Sequence, residues 1–196
     1  MYEDYFGLHR RPFVQTVNPD VYVGLPSRDA ALHRLRYGLE FGGGLAVLSG
    51  PCGAGKTILA LRLAQEMAAS TVHWAYPTMP VPDLIATLAE EFGAHRQDPA
   101  NLAASIRALR EQLSMLVKTG HRPFLILDEA QNIKNTETLE SLRLLLNFTT
   151  GGIADLAILL VGTPELLLQL PASLTDRLAI RSSLPPFTES ESIAYL

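Results

Sequence analysis

The chain has 196 residues, of which 47% are apolar, with a formal net charge of −4 and a single cysteine. That is apolar material enough for a sizeable core in one α/β domain, or in one domain and part of a second. It excludes an internal disulfide, and it lacks both the run of about 18 apolar residues that a membrane span needs and the basic balance of a nonspecific nucleic-acid binder. The acidic opening Met1-Tyr2-Glu3-Asp4-Tyr5 is unlike a secretory leader, so the expected location is cytoplasmic.

Residues 1–38 have their own character. Tyr2, Tyr5, Phe6, Leu8, Pro12 and Phe13 read as an aromatic strap packed on the domain. The stretch from Val21 to Arg28 is its candidate for closing over a ligand. Asn18-Pro19-Asp20 reads as a turn, and residues 28–40 as a helix carrying Leu32, Leu35 and Leu39. Gly42-Gly43-Gly44 is a hinge into a buried strand, Leu45–Ser49. A helix over Thr57–Ala69 follows, then a strand over Thr71–Tyr76 in which Trp74 packs, then a helix from Pro82 to Phe92. Asp98-Pro99 supplies an N-cap with proline at the first helical position. From there Leu102, Ile106, Leu109, Leu113, Leu116 and Val117 recur at helical spacing until Gly120 stops the run. Phe124–Leu127 is an unbroken apolar strand ending in Asp128-Glu129. Thr136–Phe148 reads as a helix, Leu156–Val161 as a strand, Pro164 as the start of a short helix, and residues 178–184 as the last strand. Thr188-Glu189-Ser190-Glu191 is a capping box. Strands alternating with helices predict a parallel sheet covered on both faces, a three-layer αβα architecture.

The most specific signal is Gly50-Pro51-Cys52-Gly53-Ala54-Gly55-Lys56-Thr57, which matches G-x-x-x-x-G-K-[ST] between a strand and a helix. Glycines let the backbone curl until successive N–H groups point at phosphate oxygens, and the following helix aims its positive end at the same place. Residues 50–57 with Ile58 are therefore the candidate cofactor-binding segment for ATP. Lys56 is placed to reach the β- and γ-phosphates, and Thr57 to offer its hydroxyl to Mg2+. The reactivity of Cys52, inside the loop, would depend on occupancy.

About seventy positions on, Asp128 and Glu129 end a strand that should line the same crevice. Asp128 is the second candidate for holding Mg2+, and Glu129 the candidate for polarising the attacking water. Thr163, at the tip of the next strand, is either a sensor of the γ-phosphate or a turn residue before proline. Arg177 is the candidate arginine finger reaching into a neighbouring subunit, and Arg181 reads as a surface residue. Gln131-Asn132 could relay the nucleotide state to the next loop. The five histidines show no ligand spacing, so no structural zinc is expected.

Several segments together resemble one family. They are Tyr5-Phe6-Gly7-Leu8 with Pro12-Phe13, Arg28-Asp29-Ala30-Ala31-Leu32, the phosphate loop, Leu127-Asp128-Glu129-Ala130-Gln131-Asn132, Leu139 to Phe148, Leu160 to Leu166, and Asp176 to Arg181 with Leu184-Pro185-Pro186. All are similar to the AAA+ ATPases of the ExeA/GspA type, the general secretion pathway component A proteins. The resemblance implies an AAA+ core over residues 39–187, preceded at 1–38 by a strap and helix contacting the nucleotide site. Residues 188–196 would begin a truncated lid helix, with the helical lid mostly missing. It implies ATP with Mg2+ as ligands, hydrolysis, a homo-oligomer, and coupling to a partner at the inner membrane through a C-terminal segment. The same subgroup resembles transposition ATPases of the TniB and TnsC kind, which would add DNA as a partner; the acidic balance leans away from that. A nonhydrolytic switch would not need Glu129, and a helicase would need a second lobe for which the chain is too short.

Overall fold

The computed structural model describes residues 5, 7, 18–41, 44–67, 69–75 and 79–195. In chain order the elements are α1 (Pro26–Phe41), β1 (Leu45–Ser49), α2 (Lys56–Glu66), β2 (Ser70–Ala75), α3 (Val81–Glu91), α4 (Leu102–Lys118), β3 (Pro123–Asp128), α5 (Thr136–Leu145), β4 (Thr149–Thr150), β5 (Ile153–Ala154), β6 (Ala157–Gly162), α6 (Leu166–Gln169), α7 (Ala172–Thr175), β7 (Ile180–Ser183) and α8 (Glu189–Tyr195). Short 3-10 turns lie at Pro19–Val21 and Ala130–Asn132.

Five strands form one parallel sheet in the order β2-β3-β6-β1-β7. The three layers follow from the period of two along each strand. Leu45 and Val47 of β1, Leu125 and Leu127 of β3, and Ile158 and Leu160 of β6 share one core with α3, α4 and α5. Their alternates Ala46, Leu48, Phe124, Ile126, Leu159 and Val161 share another with α1 and α2, through Leu32, Leu35, Leu59 and Leu63. Every residue of β1 and β3 is buried, as a parallel sheet covered on both faces requires. The expected three-layer αβα fold is what forms. Trp74, on the edge strand β2, packs half-buried against the first of these cores, as expected.

Helix α1 lies against β7 so closely that a Cβ at Gly38 would sit 2.5 Å from Ile180 Cγ2. The capping box forms: Thr188 N donates to Glu191 Oε2 at 3.1 Å, and Glu191 N donates to Thr188 Oγ1 at 3.2 Å.

Element boundaries differ from the sequence reading at several points. The helix expected over Thr57–Ala69 runs Lys56–Glu66, with Met67 as its C-cap. Helix α4 starts at Leu102, capped by Asn101, whose side chain accepts from Ala104 N at 3.2 Å. Asp98 instead closes a turn, its carboxylate accepting from Ala100 N at 2.9 Å. The helix expected over Thr136–Phe148 stops at Leu145, because the amides of Asn147 and Phe148 bond three residues back, to Leu144 and Leu145. The chain then makes the hairpin β4-β5, turned by Gly151 and Gly152. Pro164 opens a turn rather than a helix; α6 begins at Leu166 and Pro171 separates it from α7. Of the opening aromatics, Tyr5 is exposed and the others lie outside the described residues, as do Tyr76 and two of the three hinge glycines. Among the described residues no helix is long and apolar enough to cross a membrane.

Candidate active site

The carboxyl ends of β1, β3 and β6 meet at one edge of the sheet. Gly50 N donates to Gly162 O at 3.2 Å, so the loop leaving β1 starts beside the end of β6. The loop between β1 and α2 is shaped by Gly53 and Gly55, at φ +75° and +80°. A side chain would strain both positions, and the left-handed residues let consecutive N–H groups share one side of the loop. Gly55 is also the N-cap of α2 and has no side chain to cap it, so the helix leaves its first amides for another acceptor.

Lys56 is 7% exposed despite its charge. Its Nζ donates to Gly50 O at 3.0 Å and to Pro51 O at 2.9 Å, which holds the ammonium inside the loop. Next to it, Thr57 Oγ1 donates to Asp128 Oδ2, linking residues 71 positions apart. Asp128 also accepts from Glu129 N at 2.8 Å, and His73 Nε2 stands 3.7 Å from Asp128 Oδ2. Burial disfavours the Asp128 charge, but His73, Thr57 and the Glu129 amide outweigh it and hold the carboxyl below its usual value. A hydroxyl and an ionised carboxylate in contact are hard oxygen donors of the kind that suit Mg2+.

Glu129 takes φ 50°, ψ 37°, and among the described residues it is the one non-glycine with positive φ. This uncommon backbone conformation turns the side chain off the line of β3. Its carboxylate accepts a hydrogen bond from Gln131 Nε2, and Thr163 N donates to Gln131 Oε1 at 3.2 Å. The Thr163 side chain favours the charged form of the Glu165 carboxyl and holds it below the ordinary range.

Lys56, Thr57, Asp128, Glu129 and Thr163 are thus brought to one crevice. Arg177 and Arg181 are exposed, in the turn after α7 and on β7, and no side-chain hydrogen bond ties either to the loop among the described residues. Cys52 is exposed in the loop.

Two contributors escaped the sequence reading in their detail. His73 reaches Asp128 because β2 pairs with β3 and places His73 opposite Ile126. Arg28, at the end of the expected covering stretch, is 5% exposed. Its Nη2 donates to Ala54 O of the loop at 3.3 Å, its Nη1 to Ser27 Oγ at 2.7 Å, and its guanidinium lies 4.1 Å from the centre of the Phe187 ring. Burial pulls that guanidinium below its ordinary value, against the attraction of Glu191. Glu191 in turn accepts from Ser27 N at 3.0 Å, so α1, the phosphate loop and α8 meet at one point.

Comparison with known proteins bears on the family and the fold. The model of the AAA domain family matches residues 39–170. The whole chain is 33% identical to General secretion pathway protein A of Aeromonas hydrophila and spans 37% of the length of that relative. Among solved structures, Cdc6p from Pyrobaculum aerophilum matches at TM-score 0.67 and 20% identity, covering 91% of this chain and 52% of its own. The Aeropyrum pernix Orc1 protein in complex with DNA matches at TM-score 0.65 and 18% identity, covering 92% and 51%. The Thermotoga maritima RuvB Holliday junction branch migration motor matches at 0.56 and 19%, covering 92% and 52%. Those identities speak for the fold, and the family match speaks for descent: the chain belongs to the AAA domain family, of the general secretion pathway protein A type.

Proposed function

We propose that this domain binds ATP with Mg2+, hydrolyses it, and couples turnover to assembly or remodelling of a partner in a bacterial secretion pathway. The single observation that carries the hydrolytic reading is the joined set Lys56, Thr57 and Asp128 with Glu129 directly beside it. When bound, Mg-ATP supplies the reactive phosphoryl group and the charge that these residues are arranged to meet. Lys56 exchanges its loop carbonyls for phosphate oxygens. Thr57 and Asp128 supply the metal-facing oxygens. Glu129 orients water and takes up its proton. Thr163 reads the γ-phosphate, and exposed Arg177 reaches the site of a neighbouring subunit. Phosphoryl transfer asks mainly for this kind of positioning and charge stabilisation.

The secretion reading is supported by identity along the whole chain to the Aeromonas hydrophila relative. It places the domain on the cytoplasmic side of the inner membrane with a membrane partner. The strap and α1 would cover the nucleotide, which Arg28 against Ala54 favours, and α8 would begin the lid. The test is ATP turnover with and without duplex DNA at several protein concentrations. Turnover that rises with concentration and ignores DNA is the expected result. Stimulation by DNA would replace the secretion reading with the transposition one, and no turnover at any concentration would remove hydrolysis.

A further inference from the structure

We propose that Gln131 is a positioning residue that locks the Glu129 carboxylate to the tip of β6, so that the base and Thr163 move as one unit. The proposal rests on the ATPase reading above. Gln131 Nε2 donates to Glu129 Oε2, and Gln131 Oε1 accepts from Thr163 N at 3.2 Å. The polarity is fixed by the partners. An ionised carboxylate can only accept and a backbone N–H can only donate, so a side-chain amide satisfies both at once where a carboxylate or hydrocarbon could not.

Two further features serve the same bridge. The last residue of β6 is Gly162, where a Cβ would lie 2.5 Å from Gln131 Oε1. No side chain fits there while the amide spans the gap. The turn that carries Gln131 is also anchored: Ala130 and Ile133 are 1% and 4% exposed, and Asn132 N and Ile133 N close the turn onto Glu129 O and Ala130 O at 2.9 and 3.1 Å. With both ends of the turn fixed, the amide has little freedom except through its two partners. A ligand that engages Thr163 shifts its N–H, and the amide carries that shift to the carboxylate two residues back. The nucleotide state read at β6 thereby sets the position of the base.

The test uses Gln131→Ala, Gln131→Glu and Gly162→Ala in the full chain, with the melting temperature of each variant as a folding control. Exchange of the Thr163 amide proton reads the bridge without any turnover. In Gln131→Ala it should speed by about 10-fold or more, while kcat falls roughly 10- to 100-fold and KM and the affinity for a fluorescent ADP analogue stay within about twofold. Gln131→Glu keeps the acceptor for Thr163 and loses the donor to Glu129, so exchange stays near wild type and kcat falls. Gly162→Ala displaces the amide, and the double variant with Gln131→Ala should be no slower than the slower single one. A wild-type kcat in Gln131→Ala, a KM that rises as kcat falls, additive double-variant losses, or unchanged Thr163 exchange would each overturn the bridge. Nucleotide binding without turnover in the wild-type chain would overturn the ATPase reading instead, and Thr163 exchange alone would then uphold or overturn the bridge.

Discussion

Lys56 illustrates what a short motif conveys. Its burial is tolerable because two loop carbonyls solvate the ammonium, and the same loop that solvates it faces phosphate. Replacing it leaves the loop amides in place but removes the charge. Lys56→Ala should weaken ATP binding by about two orders of magnitude, and calorimetry showing unchanged affinity would remove the phosphate-loop assignment. Glu129→Gln keeps the shape of the side chain and loses its basicity. Binding should stay within about twofold while turnover falls by about 100-fold or more, and a variant hydrolysing at the wild-type rate would reassign the base. Lys56, Thr57, Asp128 and Glu129 were legible in the sequence because local spacing forces them onto a loop and a strand end. His73 and the contacts of Arg28 were not, because they depend on which strands pair and on how closely α1 approaches the loop, and neither is local. Gln131 was visible as a polar residue after the acids, but its two partners became evident only once β3 and β6 lay side by side.

At the scale of elements, capping and close approach decide where helices lie. Asn101 outcompetes Asp98-Pro99 as the start of α4 because its side chain meets a free amide of the first turn, while Asp98 spends its carboxylate on a turn. The hairpin β4-β5 was hidden by Leu144-Leu145-Leu146, which extends the apolar pattern of α5 past its end. Gly38 is a case where two effects oppose. Alanine in a helix gains about 1 kcal/mol over glycine, but here its Cβ would collide with Ile180 across the α1–β7 contact, and overpacking costs about 1–3 kcal/mol. Gly38→Ala should therefore lower the melting temperature by a few degrees, and a rise would show that α1 can shift freely. Glu191 offers a pH test. Hydrogen bonds from Ser27 and Thr188 hold its carboxyl at about 2, down from 4.5. A depressed carboxyl contributes stability above its unfolded value, and that contribution is lost as pH falls from 4.5 toward 2. Melting temperatures across that window should fall more steeply for wild type than for Glu191→Gln; parallel curves would show that the charged form is not favoured by folding.

At the scale of the molecule, alternation of strands and helices made the parallel sheet and its layers legible, but not the strand order. β1 pairs with β6 and β7 rather than with β2, its nearest strand in sequence, because the crossovers run to both sides of it. That order opens the crevice beside β1 and leaves Arg177 on the outside. If Arg177 acts on a neighbour, Arg177→Ala should cut turnover about 1000-fold only at concentrations where subunits associate; the same defect at every concentration would place its action within its own chain. The contact between Ser27 and Glu191 carries one more consequence. It joins residues 164 positions apart, so closing it requires nearly the whole chain to be ordered first, and the loop-closure entropy is met only after the sheet exists. In kinetic terms the contact belongs on the native side of the folding barrier. Removing it would hasten unfolding and leave refolding at its former rate, which makes the meeting of α1 and α8 a brake on opening rather than a guide to folding.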